Sequence, residues 1–194
     1  MPILLMIVFA LSRYPKLMPF NFSAAYALMF CAGVYFPRKL VWWLPFATML
    51  LCDGLLNVFY YHVAPFAPEM IGNYLAYVGI VWLGRRFSHK SPFLGLLGGG
   101  ILGAVLFYLI TNTFSWLNNP AYAKTFYGWI IALTRGTEGW PQTWEFFRNT
   151  MMSGGLFTGL FAGAMKLMEA AESAAEKESE EDQQPKEEPE EAKA

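Results

Sequence analysis

Residues 92–117 read Pro-Phe-Leu-Gly-Leu-Leu-Gly-Gly-Gly-Ile-Leu-Gly-Ala-Val-Leu-Phe-Tyr-Leu-Ile-Thr-Asn-Thr-Phe-Ser-Trp-Leu, without one charged side chain. A helix needs about 20 predominantly apolar residues to cross the hydrocarbon core of a bilayer, and this stretch exceeds that. Its proline stands in the first turn, where the missing N–H costs nothing. Leu40 to Tyr60 is a second stretch of the same kind. Four shorter or less uniform apolar segments surround them. Ile3 to Leu11 stops at Ser12-Arg13, and Phe22 to Phe36 ends at Pro37-Arg38-Lys39. Met70 to Leu83 is closed by Gly84-Arg85-Arg86, and Thr143 to Met168 begins amphipathic and ends apolar. The sequence therefore predicts an all-α integral membrane protein, with about six transmembrane helices in one bundle over residues 1–168. Between the fifth and sixth segments, Asn118 to Gln142 contains the apolar run Phe126 to Leu133, too short to span and expected to be interfacial or re-entrant. The first segment does not read as a cleaved signal peptide. It lacks a basic leading region, and Phe9-Ala10-Leu11-Ser12 is a poor small-x-small cleavage site.

Composition agrees. Of the 194 residues, 55% are apolar and 18% aromatic, and only 15% are charged, where a soluble domain carries about a quarter. The charges are also segregated. Residues 169–194 hold eleven acids and three lysines, a net of −8, which leaves +7 on the rest of the chain. That terminal stretch has no aromatic or branched apolar residue and contains Gln-Gln-Pro-Lys-Glu-Glu-Pro, so it cannot bury a core. A disordered acidic tail is expected there, with the alanine-rich Glu169 to Glu180 able to extend the last helix for a few turns. Cys31 and Cys52 fall inside apolar segments without CxxC spacing and read as small buried hydrophobes.

Lysine and arginine in short loops orient a membrane protein, the denser loops staying in the cytoplasm. The turn after the second segment holds Arg38 and Lys39, and the turn after the fourth holds Arg85, Arg86 and Lys90. Arg13, Lys16, Lys124, Arg135 and Arg148 are spread over much longer sequence on the other side. Both termini are thus expected in the cytoplasm, with the chain in the inner membrane.

Polar side chains within spans are expensive and mark functional sites by default. In this topology they gather toward the outer ends. Asp53 and Asn57 lie one turn apart on one face of the third segment. Thr111 and Asn112 sit near the end of the fifth, Asn73 in the first turn of the fourth, Arg148 and Asn149 in the first turns of the sixth, and Asn21 opens the second. The arrangement describes an outward polar cavity over a dry, close-packed base. Asp53 could equally pair with Arg148 and staple two helices. Trp116, Tyr122, Phe126, Tyr127, Trp129, Trp140 and Trp144 crowd the last outer loop, as an interfacial belt or as a lid over a flat ligand.

Small residues mark the base. Gly95, Gly99 and Gly103 repeat at every fourth position, as do Gly155, Gly159 and Gly163, with a weaker stripe of Ser23, Ala27 and Cys31. Such stripes let helices approach closely in lipid, within the bundle or against a partner subunit. Enzymatic chemistry is not expected. There is no His-Glu-x-x-His, P-loop or zinc-type cluster, Ser153 has no histidine following it as base, and His62 and His89 fall on opposite membrane faces. No cofactor, metal or nucleic-acid partner is expected.

Several stretches resemble a bacterial membrane family known only as a domain of unknown function. They are Arg13 through Asn21-Phe22-Ser23, Ala27-Leu28-Met29-Phe30-Cys31-Ala32-Gly33-Val34-Tyr35-Phe36, Leu44-Pro45 and Leu50-Leu51-Cys52-Asp53. Phe107-Tyr108-Leu109-Ile110-Thr111-Asn112-Thr113-Phe114-Ser115-Trp116-Leu117, Tyr122-Ala123-Lys124-Thr125 and Phe146-Phe147-Arg148-Asn149-Thr150 continue it. That family is distantly similar to the substrate-binding S components of energy-coupling-factor vitamin transporters. The resemblance implies six helices with a short first one, a ligand held near the outer loops, and partnership with a transmembrane coupling subunit and ATPases. S components often carry an Ala-xxx-Ala stripe on the first helix, whereas Ile3 to Leu11 has only Ala10. The resulting expectation is a substrate-binding subunit for a small, vitamin-like organic solute. Asp53, Asn57, Thr111, Asn112, Arg148, Asn149 and Asn21 would supply polar contacts, with Trp116 and residues 118–142 as wall and lid. The alternative is a non-transporting structural or assembly subunit of a membrane complex.

Overall fold

The computed structural model describes residues 2–14, 16–68 and 70–183, and among them every regular element is an α-helix. In order they are α1 (Pro2–Ser12), α2 (Ala25–Tyr35), α3 (Leu40–Phe59), α4 (Met70–Gly84), α5 (Phe93–Asn118), α6 (Phe126–Thr134) and α7 (Thr143–Gln183). Each apolar segment of the sequence becomes a helix, and the short run in the last loop becomes α6. By length and composition, however, two helices and not six among the described residues can cross a membrane by themselves: α3 and α5. Only 22% of the apolar window of α3, and 39% of that of α5, is buried. The core helix of a soluble protein would be mostly covered.

α2 occupies the centre. It is apolar on every side, which requires burial on every side, and each residue from Ala25 to Gly33 is buried. It packs on α4, α7 and α5, and more lightly on α3 and α1. At 11 residues it rises only about 16 Å, too short to cross a membrane by itself.

Close packing is concentrated at the end of the bundle where α2 stops and α3 begins. A Cβ built on Gly33 of α2 would lie 2.9 Å from the Gly84 Cα of α4, so the two backbones touch. A Cβ on Gly99 would run into the rings of Phe30 and Phe87, themselves packed edge to face at 5.2 Å. Between α5 and α7, Gly100 faces Thr158 and Gly154 faces Ala104, each with a Cβ-to-Cβ separation of 2.6 Å if filled.

The interface stripe of α7 is therefore Thr150, Gly154, Thr158 and Ala162, all buried. The expected stripe of Gly155, Gly159 and Gly163 is rotated about 100° from it, and Cβ atoms there would meet only ordinary contacts at 3.6–3.9 Å. Buried threonines serve as the small residues, which a search for glycine alone passes over. Glycine spacing on α5 is closer to the mark, since Gly99 and Gly103 are buried, but Gly100 and Ala104 carry the α7 contact.

The acidic tail begins as helix. α7 continues unbroken through Gln183, about four turns past Met168, so the alanine-rich extension is realised and the stretch 169–183 is not irregular. Residues 184–194 lie outside the described residues.

Candidate functional site

At the opposite end the helices part around a cavity of about 710 Å³. α1 and the chain leaving it supply one side. Ser12 ends α1 by donating to the Phe9 carbonyl at 2.7 Å, and its oxygen accepts the Ala24 N–H at 3.1 Å. That cross-link folds residues 13–23 over the mouth and directs Arg13 inward. Asn21 adopts a left-handed backbone (φ 58°), which asparagine tolerates better than most residues, and its carbonyl accepts the Tyr26 hydroxyl at 3.0 Å.

The charged centre is an ion pair between Arg13 and Asp53. Asp53, only 8% exposed, also accepts the Tyr74 hydroxyl at 3.0 Å through its other oxygen. Burial works to lower the Arg13 pKa. The surrounding Tyr77, Asp53, Tyr26 and Cys52 outweigh it and hold the guanidinium above its ordinary value. The pair is part-buried, Asp53 more than Arg13, and drawing it partly out of water exacts a desolvation cost that its attraction need not repay, so stability alone does not account for it. Aromatic rings floor the cavity: Tyr77 stacks on Phe107 at 5.3 Å, and Tyr26 lies 4.6 Å from the same ring.

Six polar residues singled out in the sequence line this cavity together: Asn21, Asp53, Asn57, Asn73, Thr111 and Asn112. Their roles differ. Thr111 donates to the Phe107 carbonyl at 2.9 Å and Asn112 to the Tyr108 carbonyl at 2.8 Å, so both spend a donor on their own helix and offer oxygens to the cavity. Asn57 donates to the Pro65 carbonyl at 3.1 Å and ties the α3–α4 loop to α3.

Three expected residues lie elsewhere. Arg148 does not meet Asp53. It is exposed, with its guanidinium 5.4 Å from the Trp144 ring centre, because the buried stripe of α7 turns it outward. Asn149 donates to the Phe20 carbonyl at 3.0 Å and secures the 13–23 segment from outside. Trp116 donates to the Ala123 carbonyl at 2.9 Å and organises its own loop. Nor do residues 118–142 cover the cavity. α6 is capped by Thr125 and pinned to α5, with Trp129 donating to Thr113 Oγ1 at 2.9 Å and Tyr108 donating to the Leu133 carbonyl. The segment over the mouth is instead 13–23, with Tyr60 and Tyr61 at the end of α3.

Arg13, Lys16, Tyr26, Tyr77 and Tyr74 complete the site and were not anticipated there. Arg13 carried a signal nonetheless: it is one of the basic residues that run against the orientation expected from the short loops.

Fold and site together define an all-helical protein with two membrane-capable helices and a polar, ion-paired cavity at one end of its bundle. The family model described as "Family of unknown function (DUF6580)" matches residues 1–177, and the chain belongs to that family. No curated protein and no solved structure matches it.

Proposed function

We propose that this protein is a substrate-binding membrane subunit that captures a small organic solute in the cavity around Arg13 and Asp53. The observation that carries this reading is the part-buried ion pair, set in a cavity of about 710 Å³ whose polar side chains come from α2, α3, α4, α5 and the 13–23 segment. Ligand sites are few, concave and lined by aromatic surface with a small number of placed polar groups. The exposed apolar flanks of α3, including Trp43, Leu51 and Phe59, suit lipid contact.

In this reading α1 to α5 and the first part of α7 are the six membrane helices, the shorter ones relying on neighbouring protein. Both termini are cytoplasmic, in the inner membrane, and the cavity faces out. Arg38, Lys39, Arg85, Arg86 and Lys90 are all exposed at the close-packed end, as the positive-inside pattern asks of the cytoplasmic side. Uptake would be energised by a separate transmembrane coupling subunit and ATPases, in the manner of S components. The kinship to S components rests on helix number and cavity position only.

Two measurements test the reading. Mass spectrometry of small molecules co-purifying in mild detergent should find a solute that raises the melting temperature of the wild type and not that of Asp53→Asn. An impermeant amine reagent applied to intact cells should label Lys124, and labelling of Lys90 instead would invert the orientation. The second reading, an assembly subunit without a ligand, draws on Gly98, whose Cβ position meets nothing within 4 Å and could receive a partner helix. It predicts recovery only within a larger complex, with no solute bound.

A further inference from the structure

The polar cavity has a dry neighbour. A second hollow of about 420 Å³ lies between α3 and α4, with walls that include Phe46, Leu50, Met70, Ile71, Leu75 and Val78. Leu50, Ile71, Leu75 and Val78 are themselves exposed, so the groove opens sideways along the helices, toward acyl chains if the bundle lies in a bilayer. The wall dividing groove from cavity is one layer of side chains. The Tyr74 ring lines the groove, while its hydroxyl donates to Asp53, which lines the cavity. One turn away, Met70 of the groove is 3.6 Å from the amide nitrogen of Asn57, which also lines the cavity.

Charge and shape at the two hollows complement each other. With Arg13 paired to Asp53, the exposed Lys16 leaves the cavity one cation in excess, which favours an anion. The groove presents hydrocarbon. We infer that the occupant is an anionic amphiphile, its acidic headgroup beside Arg13 and Lys16 and its alkyl chain in the α3–α4 groove, the chain crossing the wall between them where the Tyr74 hydroxyl gives up its bond to Asp53. This rests on the reading of the polar cavity as a binding site and names the class of ligand it takes. An amphiphile entering from the bilayer leaves its chain in apolar surroundings throughout, so only the headgroup changes environment. A ligand without a chain has no use for the groove.

The test uses the full chain, stripped of lipid by detergent exchange, with three probes. These are 1-lauroyl lysophosphatidate, the zwitterionic lysophosphatidylcholine of the same chain, and butyl phosphate. Native mass spectrometry should show one lysophosphatidate retained per protein, with the phosphatidylcholine analogue at least tenfold weaker. Leu75→Trp, which fills the groove outside the polar cavity, should weaken lysophosphatidate at least tenfold. It should leave the thermal protection by butyl phosphate unchanged. Val78→Trp on the same wall repeats the test should Leu75→Trp fail to fold. Equal binding of the two lauroyl probes would make the groove ordinary lipid-facing surface and overturn the inference. Unchanged lysophosphatidate affinity in both tryptophan variants, with butyl phosphate still bound, would also overturn it while leaving the cavity as a site for a chainless solute. Failure of every probe overturns it as well, and the co-purification experiment then judges the cavity separately. A polypeptide that leaves wild-type protein and is displaced by Leu75→Trp would assign the groove to a partner helix and overturn it too.

Discussion

The two ends of this bundle are built from the same helices on opposite principles. At one end Gly33 and Gly84 bring α2 and α4 into backbone contact, and Gly99 admits the Phe30 ring. Small residues there remove space, as helices in lipid require when no hydrophobic effect drives them together. At the other end Arg13, Asp53 and Tyr74 tie the helices together by polar contacts beside a cavity. The contrast teaches that packing is carried by one end and leaves the other free to bear groups that stability would not select. A cavity lined by a part-buried ion pair is tolerable because the opposite end fixes the helices.

That division can be broken most severely at the close-packed end. Gly84→Leu should push α4 off α2 and destabilise the protein by about 3 kcal/mol or more, read as loss of folded material or a large fall in melting temperature. Gly98→Leu, whose new side chain meets open space, is the matched control and should melt like the wild type. Equal damage from both would mean that the loss does not come from the α2–α4 contact, since leucine favours helix over glycine at either position.

Arg13→Leu comes next. It leaves the Asp53 carboxylate without its cation, and breaking a fully buried pair costs about 3–5 kcal/mol. Water in the cavity reduces this, so a loss of about 1–3 kcal/mol is expected. Adding Asp53→Leu should restore part of it, a less-than-additive cycle. Asp53→Asn keeps a partner for the Tyr74 hydroxyl and should fold, while sharply weakening ligand binding. Wild-type affinity in that folded variant would remove Asp53 from the site.

Tyr74→Phe sharpens the boundary between cavity and groove. It deletes one hydrogen bond to a charged acceptor, and a fall of about 1–2 kcal/mol in denaturation measurements is expected. The smallest effect belongs to Arg148→Gln. An exposed side chain resting on Trp144 should change stability by less than about 0.5 kcal/mol, and its effect should add simply to that of Asp53→Asn. Strong coupling between those two would contradict the placement of Arg148 outside the cavity.

Much of the fold was legible because its signals are local. Apolar runs ended by Pro37-Arg38-Lys39 or Gly84-Arg85-Arg86 mark helices wherever they lie, and the absence of a polar face on α2 already demanded burial all round. The clustering of Asn57, Asn73, Thr111 and Asn112 was legible for the same reason. Antiparallel helices of known direction sort residues by depth. Depth is not rotation, however. One residue of helix turns a side chain by about 100°, which separates Gly154 from Gly155 and decides that Arg148 faces outward.

What the sequence by itself determined is the set of helices and the gathering of most polar residues toward one end of them, since both follow from hydropathy along the chain. Only the tertiary structure decided which cation meets Asp53. Arg13 lies 40 positions away in sequence, outside any helical repeat that could relate it to α3. It arrives because the Ser12–Ala24 hydrogen bond closes the segment between them over the cavity. Arg148, the better candidate by depth, is turned away by Thr150, Gly154 and Thr158 packing into the bundle. Helix rotation and loop closure are set by contacts between segments, and no single segment contains them.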